Sequence, residues 1–561
     1  MKVTEIKYQR RTIEQTQQEY DKVYEKLDNA KTVQDCLDAL AMEENASKYF
    51  NTMSTLAEIR ISLNTKDEFY QQESQYYADA RPLFSKCTTT FYNKILNHPL
   101  RPQLEQVLNP QLFKFYECQQ LAFSPIIIED LQEENKICLE YYQLLGGLLV
   151  DYNGERLPMS VVRGDLEKED RQVRTECLNA IGRALSTVSE QLDNIYDRLV
   201  KVRDRMAKKM GYENFIPLGY YRLGRMDYDA EMVSKYRYNV HKDIVPLVTD
   251  IKNNIAKQLH IDNMKLFDDA VYTLGGNARP CIDKDEMFSQ ASIMYHRMNQ
   301  EVGQLFDSMV ANDAFDVVAR EGKLGGGYCT DLSEYNQPFI FANFNGSSGD
   351  FDVITHEFGH ALSMYYSDKC GNYTLSIGNM ETAECHSMSM EFFSGKYAQA
   401  FFGKDTNKFL YKQLCDSVCF IPYGVVVDEY QHIVYSNTNL TPQQRCDEWR
   451  KLETKYRPYL SYEGIDYISR GTRWQYQSHI YVSPFYYIDY CLAQTVALGF
   501  FVAMKQNYDD AFARYLQLVK TGGQKGFPQL IKDAGIAYPF GEGTLAVIAK
   551  EIKLAIDKLR V

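Results

Sequence analysis

Residues 351–366, FDVITHEFGHALSMYY, carry an HExxH motif at positions 356–360 within an apolar, helix-compatible run. Two histidines four apart on an α-helix are separated by about 400° of rotation and roughly 6 Å of rise, so His356 and His360 project from one face. A catalytic zinc site takes three protein ligands and keeps a fourth position for water, and Glu357 is placed to accept a proton from that water. The motif therefore predicts a metal-dependent hydrolase.

The third metal ligand has several candidates in a second amphipathic segment, METAECHSMSMEFF at positions 380–393. Glu384 and Glu391 lie seven residues apart, so they share one face of a helix. One of these carboxylates could bind the metal while the other orients a histidine ligand. By composition alone, Glu381 and His386 remain rival third ligands.

The segment GDFDVITHEFGHALS, followed 24 residues after His360 by the glutamate of AECHSMSMEFF, resembles the thimet oligopeptidase and oligoendopeptidase F family of zinc metallopeptidases. Within that family, the chain most resembles the short bacterial oligoendopeptidase F branch. The resemblance implies that His356, His360 and Glu384 bind one Zn²⁺ per chain and that Glu357 is the general base. It also implies two helical lobes around a deep catalytic cleft, internal cleavage of peptides, and short unfolded peptides as substrates.

A second candidate constellation lies far downstream, in WQYQSHIYVSPFYYIDY at positions 474–490. Peptide hydrolysis passes through a tetrahedral oxyanion, and neutral donors aimed at that oxygen are typically worth a few kcal/mol each. The resembling family carries a histidine followed by a tyrosine cluster here, and the histidine maps onto His479. The candidate donors in the cluster are Tyr487 and Tyr490, with Tyr486 and Tyr481 as alternatives.

The composition between residues 320 and 350 changes from helix formers to glycine, asparagine, serine and aromatic residues. Three glycines at positions 325–327 permit a close approach of the backbone, and PFIFANF at positions 338–344 predicts a strand. We therefore expect a mainly α-helical fold with a small β-sheet beside the HExxH helix. In the resembling peptidases, an edge strand near this helix pairs with the substrate backbone.

The length of 561 residues and the hydrophobic content of 45% predict a large protein with more than one core. Residues 1–165 consist almost entirely of long helical segments and predict an N-terminal helical lobe. Residues 166–561 contain every candidate catalytic residue and predict the catalytic region. No low-complexity linker marks the border between them.

The net charge of −13 argues against a nucleic-acid partner, which would need a clustered basic surface. The first fifteen residues contain no apolar leader, and the late apolar stretch at 491–504 is too short to span a bilayer. The 13 cysteines include no CxxC pair, which is typical of reduced thiols. We therefore expect a cytoplasmic protein without a membrane partner. The sequence gives no prediction of its oligomeric state.

Two alternative functions remain open on the sequence. A zinc carboxypeptidase would need a basic residue for the terminal carboxylate of its substrate, and Arg470 and Arg473 are candidates. A catalytically silent peptide-binding scaffold would keep the helical fold without the chemistry. The Glu-x-x-His pair of Glu429 and His432 occurs in di-iron bundles. The chain offers no matching second pair, so we interpret it as a polar helical face.

Overall fold

The computed structural model describes residues 2–367, 369, 371, 373–376 and 378–559. Helices account for 73% of the structure, which confirms the prediction of a mainly α-helical fold. The described residues form 26 α-helices and five short strands.

The first 146 residues fold into long helices whose starts carry strong capping signals. The Thr12 side chain caps the first helix by accepting from the backbone N–H of Gln15, and Thr32 caps the second through Asp35 in the same way. These helices are α1 (Ile13–Asp28), α2 (Val33–Leu63), α3 (Glu68–Leu96), α4 (Arg101–Val107), α5 (Pro110–Ala122) and α6 (Ile128–Gly146).

A two-stranded hairpin follows, made of β1 (Leu149–Tyr152) and β2 (Glu155–Pro158) in antiparallel register. Its turn residues, Asn153 and Gly154, both have positive φ angles, of 53° and 83°. This conformation is the one that two-residue hairpin turns require, and asparagine followed by glycine adopts it readily. This hairpin is not among the elements predicted above.

A second group of helices leads from the hairpin to the central sheet. They are α7 (Met159–Arg163), α8 (Arg171–Ser186), α9 (Ser189–Lys209), α10 (Phe215–Arg222), α11 (Ala230–Asn239), α12 (Val245–Gln258), α13 (Lys284–Met298) and α14 (Gln300–Ala311).

The central sheet has three strands in the order β3-β5-β4. These are β3 (Phe315–Val318), β4 (Tyr328–Leu332) and β5 (Gln337–Phe344). β5 pairs in parallel with β3 and antiparallel with β4, so β4 is an edge of the sheet. β5 contains the predicted strand at 338–344, and both β4 and β5 pack against the HExxH helix. The prediction of a small sheet beside this helix is confirmed.

The remaining helices surround the candidate site. They are α15 (Gly349–Ser367), α16 (Tyr373–Ser376), α17 (Met380–Gly395), α18 (Gln399–Phe402), α19 (Thr406–Ser436), α20 (Pro442–Tyr456), α21 (Asp466–Ser469), α22 (Ser478–Val482), α23 (Tyr487–Gln506), α24 (Tyr508–Thr521), α25 (Phe527–Asp533) and α26 (Thr544–Leu559).

The largest apolar core packs around α15, α17, α19 and α23 and also includes residues from α6 and the β1–β2 hairpin. Two smaller cores lie mainly among α1, α2, α3 and α5, which form a separate helical layer at the N-terminal end of the chain. The division at about residue 165 stays a prediction.

Among the described helices, α23 alone is long and apolar enough to cross a membrane by length and composition. However, 61% of its most apolar window is buried inside the protein, where it packs against α17 and α19. A buried core helix passes the same test, so this composition is weak evidence for a membrane span.

Candidate metal centre and active site

Helices α15 and α17 bring three potential metal ligands together. His356 and His360 lie on one face of α15, with ring centroids 5.0 Å apart. From α17, the Oε2 atom of Glu384 lies 3.4 Å from Nε2 of His356 and 3.5 Å from Nε2 of His360. One ligand atom from each residue lies within 4.8 Å of the other two. The structure therefore assembles the three predicted ligands in one cluster.

The spacing of these atoms fits a tetrahedral zinc ion. Bonds of about 2.0–2.1 Å to nitrogen and oxygen place adjacent ligand atoms of a tetrahedron about 3.4 Å apart. Both carboxylate–imidazole separations in the cluster match this edge length. Two imidazoles and one carboxylate are also a donor set that zinc uses in catalytic sites, with the fourth position left open.

Gly359, inside the HExxH motif, allows α15 and α17 to approach closely enough to build the cluster. A Cβ atom at this position would lie 2.6 Å from Cα of Ser387, 2.8 Å from the carbonyl oxygen of His386 and 3.0 Å from the Ser387 nitrogen. All three atoms belong to the α17 backbone, which cannot rotate out of the way. A glycine in a helix interior is a signal of close packing, and Gly359 is not among the residues predicted to contribute to the site.

Glu391 holds the side of His356 that faces away from the cluster. The Nδ1–H group of His356 donates to Oε1 of Glu391 at 2.6 Å, so Nε2 carries the lone pair that a metal needs. Burial by itself would lower the pKa of His356, but the hydrogen bonds to Glu384 and Glu391 raise this pKa well above its ordinary value. A metal at Nε2 therefore binds in competition with a proton.

Both oxygens of Glu384 are engaged. Oε2 faces the two histidines and also accepts a hydrogen bond from Ser387 Oγ at 3.1 Å, while Oε1 accepts one from the Tyr486 hydroxyl. Burial alone would raise the pKa of Glu384, but the neighbouring imidazoles hold the pKa well below its ordinary value. The carboxylate is thus ionised and oriented toward the histidines.

Glu357 lies beside the cluster with its carboxylate free. Its side chain is only 9% exposed, and it has no hydrogen-bond partner among the described residues. Burial raises the pKa of Glu357, although the charges of His356 and His360 oppose this change. The start of β4 lies close to it, since a Cβ atom on Gly327 would be 3.8 Å from its Oε1. A buried carboxylate with a raised pKa is suited to accept a proton near neutral pH.

The structure places His479 next to the tyrosine cluster, which includes the tyrosine that donates to Glu384. Its ring centroid lies 5.9 Å from that of Tyr486, 4.9 Å from that of Tyr487 and 5.7 Å from that of Tyr490. Burial lowers the pKa of His479 to about 4, even though the charge of Glu384 acts in the opposite direction. The imidazole is therefore neutral near pH 7 and can donate one hydrogen bond.

The four tyrosines differ in their surroundings. Tyr486 donates to Glu384, and the Tyr490 ring lies beside the Tyr486 ring with centroids 4.8 Å apart. Burial raises the pKa of the Tyr490 hydroxyl, and the charges of Glu384 and Glu357 raise it further. Tyr487 packs against His479 and α19, whereas Tyr481 is fully buried and donates to the backbone of Leu192. Of the four tyrosines, Tyr486 contacts the cluster directly, and Tyr490 lies beside Tyr486.

The rival third ligands lie outside the cluster. Glu381 is fully buried, and neither of its carboxylate oxygens has a geometric hydrogen-bond partner among the described residues. His386 is 1% exposed, and within the same described part of the chain its two ring nitrogens have no partner. His432 is also buried: its Nε2 lies 3.0 Å from the Tyr220 hydroxyl, and its Nδ1 donates to the backbone oxygen of Asp428 at 2.9 Å. Of these three residues, none joins the two motif histidines.

The arginines considered for a carboxypeptidase are engaged in other contacts. Arg473 donates to Glu453 at 3.1 Å and lies over the ring of Tyr423. Arg470 donates to Ser186 Oγ at 3.0 Å and to the backbone oxygen of Asp466 at 3.2 Å.

A cavity of about 590 Å³ opens beside Tyr486. One wall comes from the N-terminal helices and includes Asn51 of α2, Phe84 of α3 and Phe115 of α5. The opposite wall includes Thr382 of α17. Its volume lies in the range of small-molecule and peptide sites. The cavity therefore lies between the N-terminal helices and α17, beside the tyrosine that donates to Glu384.

An HExxH helix, a glutamate from a following helix and a free carboxylate beside them define a candidate metal centre of a hydrolase. The chain matches the sequence model of peptidase family M3 over residues 166–549 and that of the peptidase M3 N-terminal domain over residues 3–123. The chain belongs to peptidase family M3.

Solved structures and a curated relative agree with this assignment. The chain is 38% identical to PZ peptidase A, solved with an inhibitor, at a TM-score of 0.97 with 99% of each chain covered. It is 37% identical to a protein assigned as an oligoendopeptidase F from Bacillus anthracis, at a TM-score of 0.92 over 100% of this chain and 99% of the other. Oligopeptidase PepF of Bacillus subtilis is 22% identical over 388 residues, which are 66% of this chain and 55% of that protein. The match thus spans about half the length of this relative.

Proposed function

We propose that this protein is a zinc-dependent endopeptidase that hydrolyses internal bonds of short unfolded peptides. The observation that carries the proposal is the cluster of His356, His360 and Glu384, with atom separations of 3.4 and 3.5 Å, beside the unpartnered carboxylate of Glu357. Membership of peptidase family M3 supports peptide substrates, and the similar PZ peptidase A and oligoendopeptidase F proteins support the oligopeptide class.

The residues of the cluster would hold one Zn²⁺ per chain. A zinc ion bound there would polarise the scissile carbonyl and lower the pKa of a water molecule. Glu391 keeps His356 in the tautomer that leaves Nε2 unprotonated, and Tyr486 keeps Glu384 directed at the histidines. These contacts fix the ligand geometry before a metal arrives.

Glu357 would act as general base and then as general acid. Its carboxylate accepts the proton of the attacking water and later delivers it to the nitrogen of the leaving amine. The absence of a competing partner among the described residues leaves both of its oxygens free for this transfer. Burial raises the pKa of Glu357 toward neutral pH, which makes the protonated carboxyl group easier to form as the donor to the amine.

His479 and Tyr490 would donate hydrogen bonds to the oxyanion that forms as water adds to the carbonyl. Both groups are neutral near pH 7, because burial lowers the pKa of His479 and raises that of Tyr490. Neutral donors in a site of low polarity stabilise developing negative charge, and removal of one such donor typically lowers kcat by about 100-fold to 1000-fold.

Internal cleavage is favoured over carboxypeptidase action by the surroundings of the arginines. A carboxypeptidase needs a free cation for the terminal carboxylate, and the charge of Arg473 is already paired with Glu453. The 590 Å³ cavity beside Tyr486 offers room for several residues on one side of the scissile bond.

The test is a mass-spectrometric digest of a mixed library of short peptides by the wild type and by Glu357→Gln, with zinc content measured for both. We expect internal cuts by the wild type, their loss in the variant, and about one zinc per chain in both proteins, because only the proton acceptor has changed. Sequential removal of single C-terminal residues would indicate a carboxypeptidase. A wild-type protein that holds zinc but cuts no peptide would indicate a peptide-binding scaffold.

A further inference from the structure

His479 can stabilise an oxyanion only if the nitrogen that faces the reaction carries its proton. A neutral imidazole has one N–H group, on Nδ1 or on Nε2, and a hydrogen bond at one nitrogen decides which. Nδ1 of His479 lies 3.0 Å from Nε2 of Gln477. An amide nitrogen only donates, so Nδ1 is the acceptor and the proton resides on Nε2.

The orientation of the Gln477 amide is set by Tyr423 of α19. The Tyr423 hydroxyl donates to Oε1 of Gln477 at 2.6 Å. With its oxygen engaged by this donor, the amide presents its NH₂ group to His479. The three side chains therefore form a directed chain of hydrogen bonds from Tyr423 through Gln477 to the imidazole.

Two arginines beside the Tyr423 ring favour its role as the donor in this chain. The guanidinium carbon of Arg473 lies 4.1 Å from the centroid of the Tyr423 ring, and that of Arg457 lies 5.4 Å from it. Positive charge against the ring withdraws electron density from the phenol, which makes its O–H a stronger donor and its oxygen a weaker acceptor. Arg473 also donates to Glu453 at 3.1 Å, so its guanidinium is held between Glu453 and the Tyr423 ring.

We propose that Gln477, oriented by Tyr423, is a positioning residue that keeps His479 in the tautomer with its proton on Nε2. The inference rests on the function proposed above, in which His479 donates to the oxyanion. Nε2 of His479 has no hydrogen-bond partner within the part of the chain that the structure describes, so its N–H is available for the substrate. Neither Gln477 nor Tyr423 was assigned a role from the sequence.

The sharpest test is Gln477→Glu, which preserves the size of the side chain and the bond from Tyr423. A carboxylate only accepts, so it draws the imidazole proton to Nδ1 and leaves Nε2 without one. We expect kcat to fall by about 100-fold at about pH 9, where the imidazole is neutral, because one oxyanion donor is lost. KM and zinc content should stay at their wild-type values.

Histidine-selective ¹⁵N NMR reads the tautomer directly and requires no turnover. We expect the Nε2–H signature for His479 in the wild type and the Nδ1–H signature in Gln477→Glu, with the signal assigned by its absence in His479→Phe. A second variant, Tyr423→Phe, removes the donor that orients the amide and should lower kcat by about 3-fold to 10-fold without the full change of tautomer. Its matched control is Tyr430→Phe on the same helix, because the Tyr430 hydroxyl is buried and has no hydrogen-bond partner among the residues that the structure describes. This control should match the wild type in kcat.

An Nδ1–H signature in the wild type, or a Gln477→Glu variant with wild-type kcat and an unchanged Nε2–H signature, would overturn the inference. Either result leaves the proposed function standing if Glu357→Gln abolishes peptide cleavage. Conversely, a wild-type protein that cleaves no peptide removes the proposed function, while the NMR measurement still decides the tautomer. If Gln477→Glu and Tyr430→Phe lose zinc or folded protein to the same extent, the effect is structural and counts against the inference.

Discussion

Replacing Gly359 by alanine tests whether the metal site depends on the close approach of α15 and α17. The added Cβ would lie 2.6 Å from Cα of Ser387 and 2.8 Å from the carbonyl oxygen of His386. Carbon–carbon contacts are comfortable at about 3.5–4.0 Å, so the two helices have to separate locally by about 1 Å. The opposing atoms belong to a helix backbone, and no change of rotamer can relieve the contact.

This separation acts more strongly on metal binding than on folding. Overpacking costs about 1–3 kcal/mol, and alanine in place of glycine favours a helix by about 1 kcal/mol, so the unfolding free energy should fall by about 0–2 kcal/mol. The distances from Glu384 to His356 and His360, now 3.4 and 3.5 Å, would grow by about 1 Å beyond the edge of a zinc tetrahedron. Mutation of a residue that only supports a metal ligand weakens metal binding by about 10-fold to 100-fold. Displacement of a ligand itself should therefore weaken zinc binding by at least about 100-fold.

The assay is competition for zinc against a chelator of known affinity, with the melting temperature of the metal-free protein measured in parallel. The matched control is Gly146→Ala at the exposed end of α6, where an added Cβ has nothing within 4 Å. We expect the control to keep wild-type zinc affinity. A Gly359→Ala protein that binds zinc as tightly as the wild type would refute the argument that the glycine sets the helix separation.

Three further predictions concern the glutamates and the tyrosine around the site. Glu391→Gln keeps an acceptor for His356 but removes its charge, so we expect about 10-fold weaker zinc binding in a chelator competition; unchanged affinity would contradict the role of this contact. Tyr486→Phe releases Oε1 of Glu384, and zinc should dissociate about 10-fold faster in a stopped-flow chelator assay, whereas an unaltered rate would exclude Tyr486 from holding the ligand. Burial, with a contribution from a nearby aspartate, raises the pKa of Glu381 from 4.5 to about 8, so the folded wild type holds a proton that the unfolded chain releases. Wild-type stability should therefore fall as the pH rises from 4.5 through about 8. The melting temperature of Glu381→Gln minus that of the wild type should increase over the same range. A difference that stays constant with pH would show that Glu381 is not the titrating group.

The parts of the site that follow from helical periodicity were predictable from the sequence. The four-residue spacing of His356 and His360 places both rings on one face, and the seven-residue spacing of Glu384 and Glu391 directs both carboxylates toward α15. The prediction that one of these carboxylates orients a histidine matches the contact of Glu391 with His356. Local geometry within a single helix is sufficient for each of these statements.

The parts that depend on contacts between distant segments were not predictable from local patterns. Gln477 is an ordinary polar residue in a polar stretch, and its role appears only when Tyr423, 54 residues earlier in the chain, is placed beside it. The β1–β2 hairpin is a different case, because Asn153 and Gly154 form a recognised turn signal that was overlooked between long helices. Strand β3 could not be predicted from a local pattern, because it is only four residues long and its partner strand lies far along the chain, with Phe315 opposite Ile340.

The glutamates of the site show why residue type alone could not assign their roles. Glu381 and Glu384 are three residues apart on α17, an angular difference of about 60° around the helix. That rotation leaves Glu384 facing two imidazoles, which hold its pKa well below the ordinary value, and Glu381 in the interior, where burial raises its pKa to about 8. Glu357 lies between these extremes, because burial raises its pKa while the same imidazoles oppose the change. The crossing of α15 and α17 decides which carboxylate faces the two imidazoles, which lies beside them and which is buried away from them, and the crossing in turn requires the glycine at position 359.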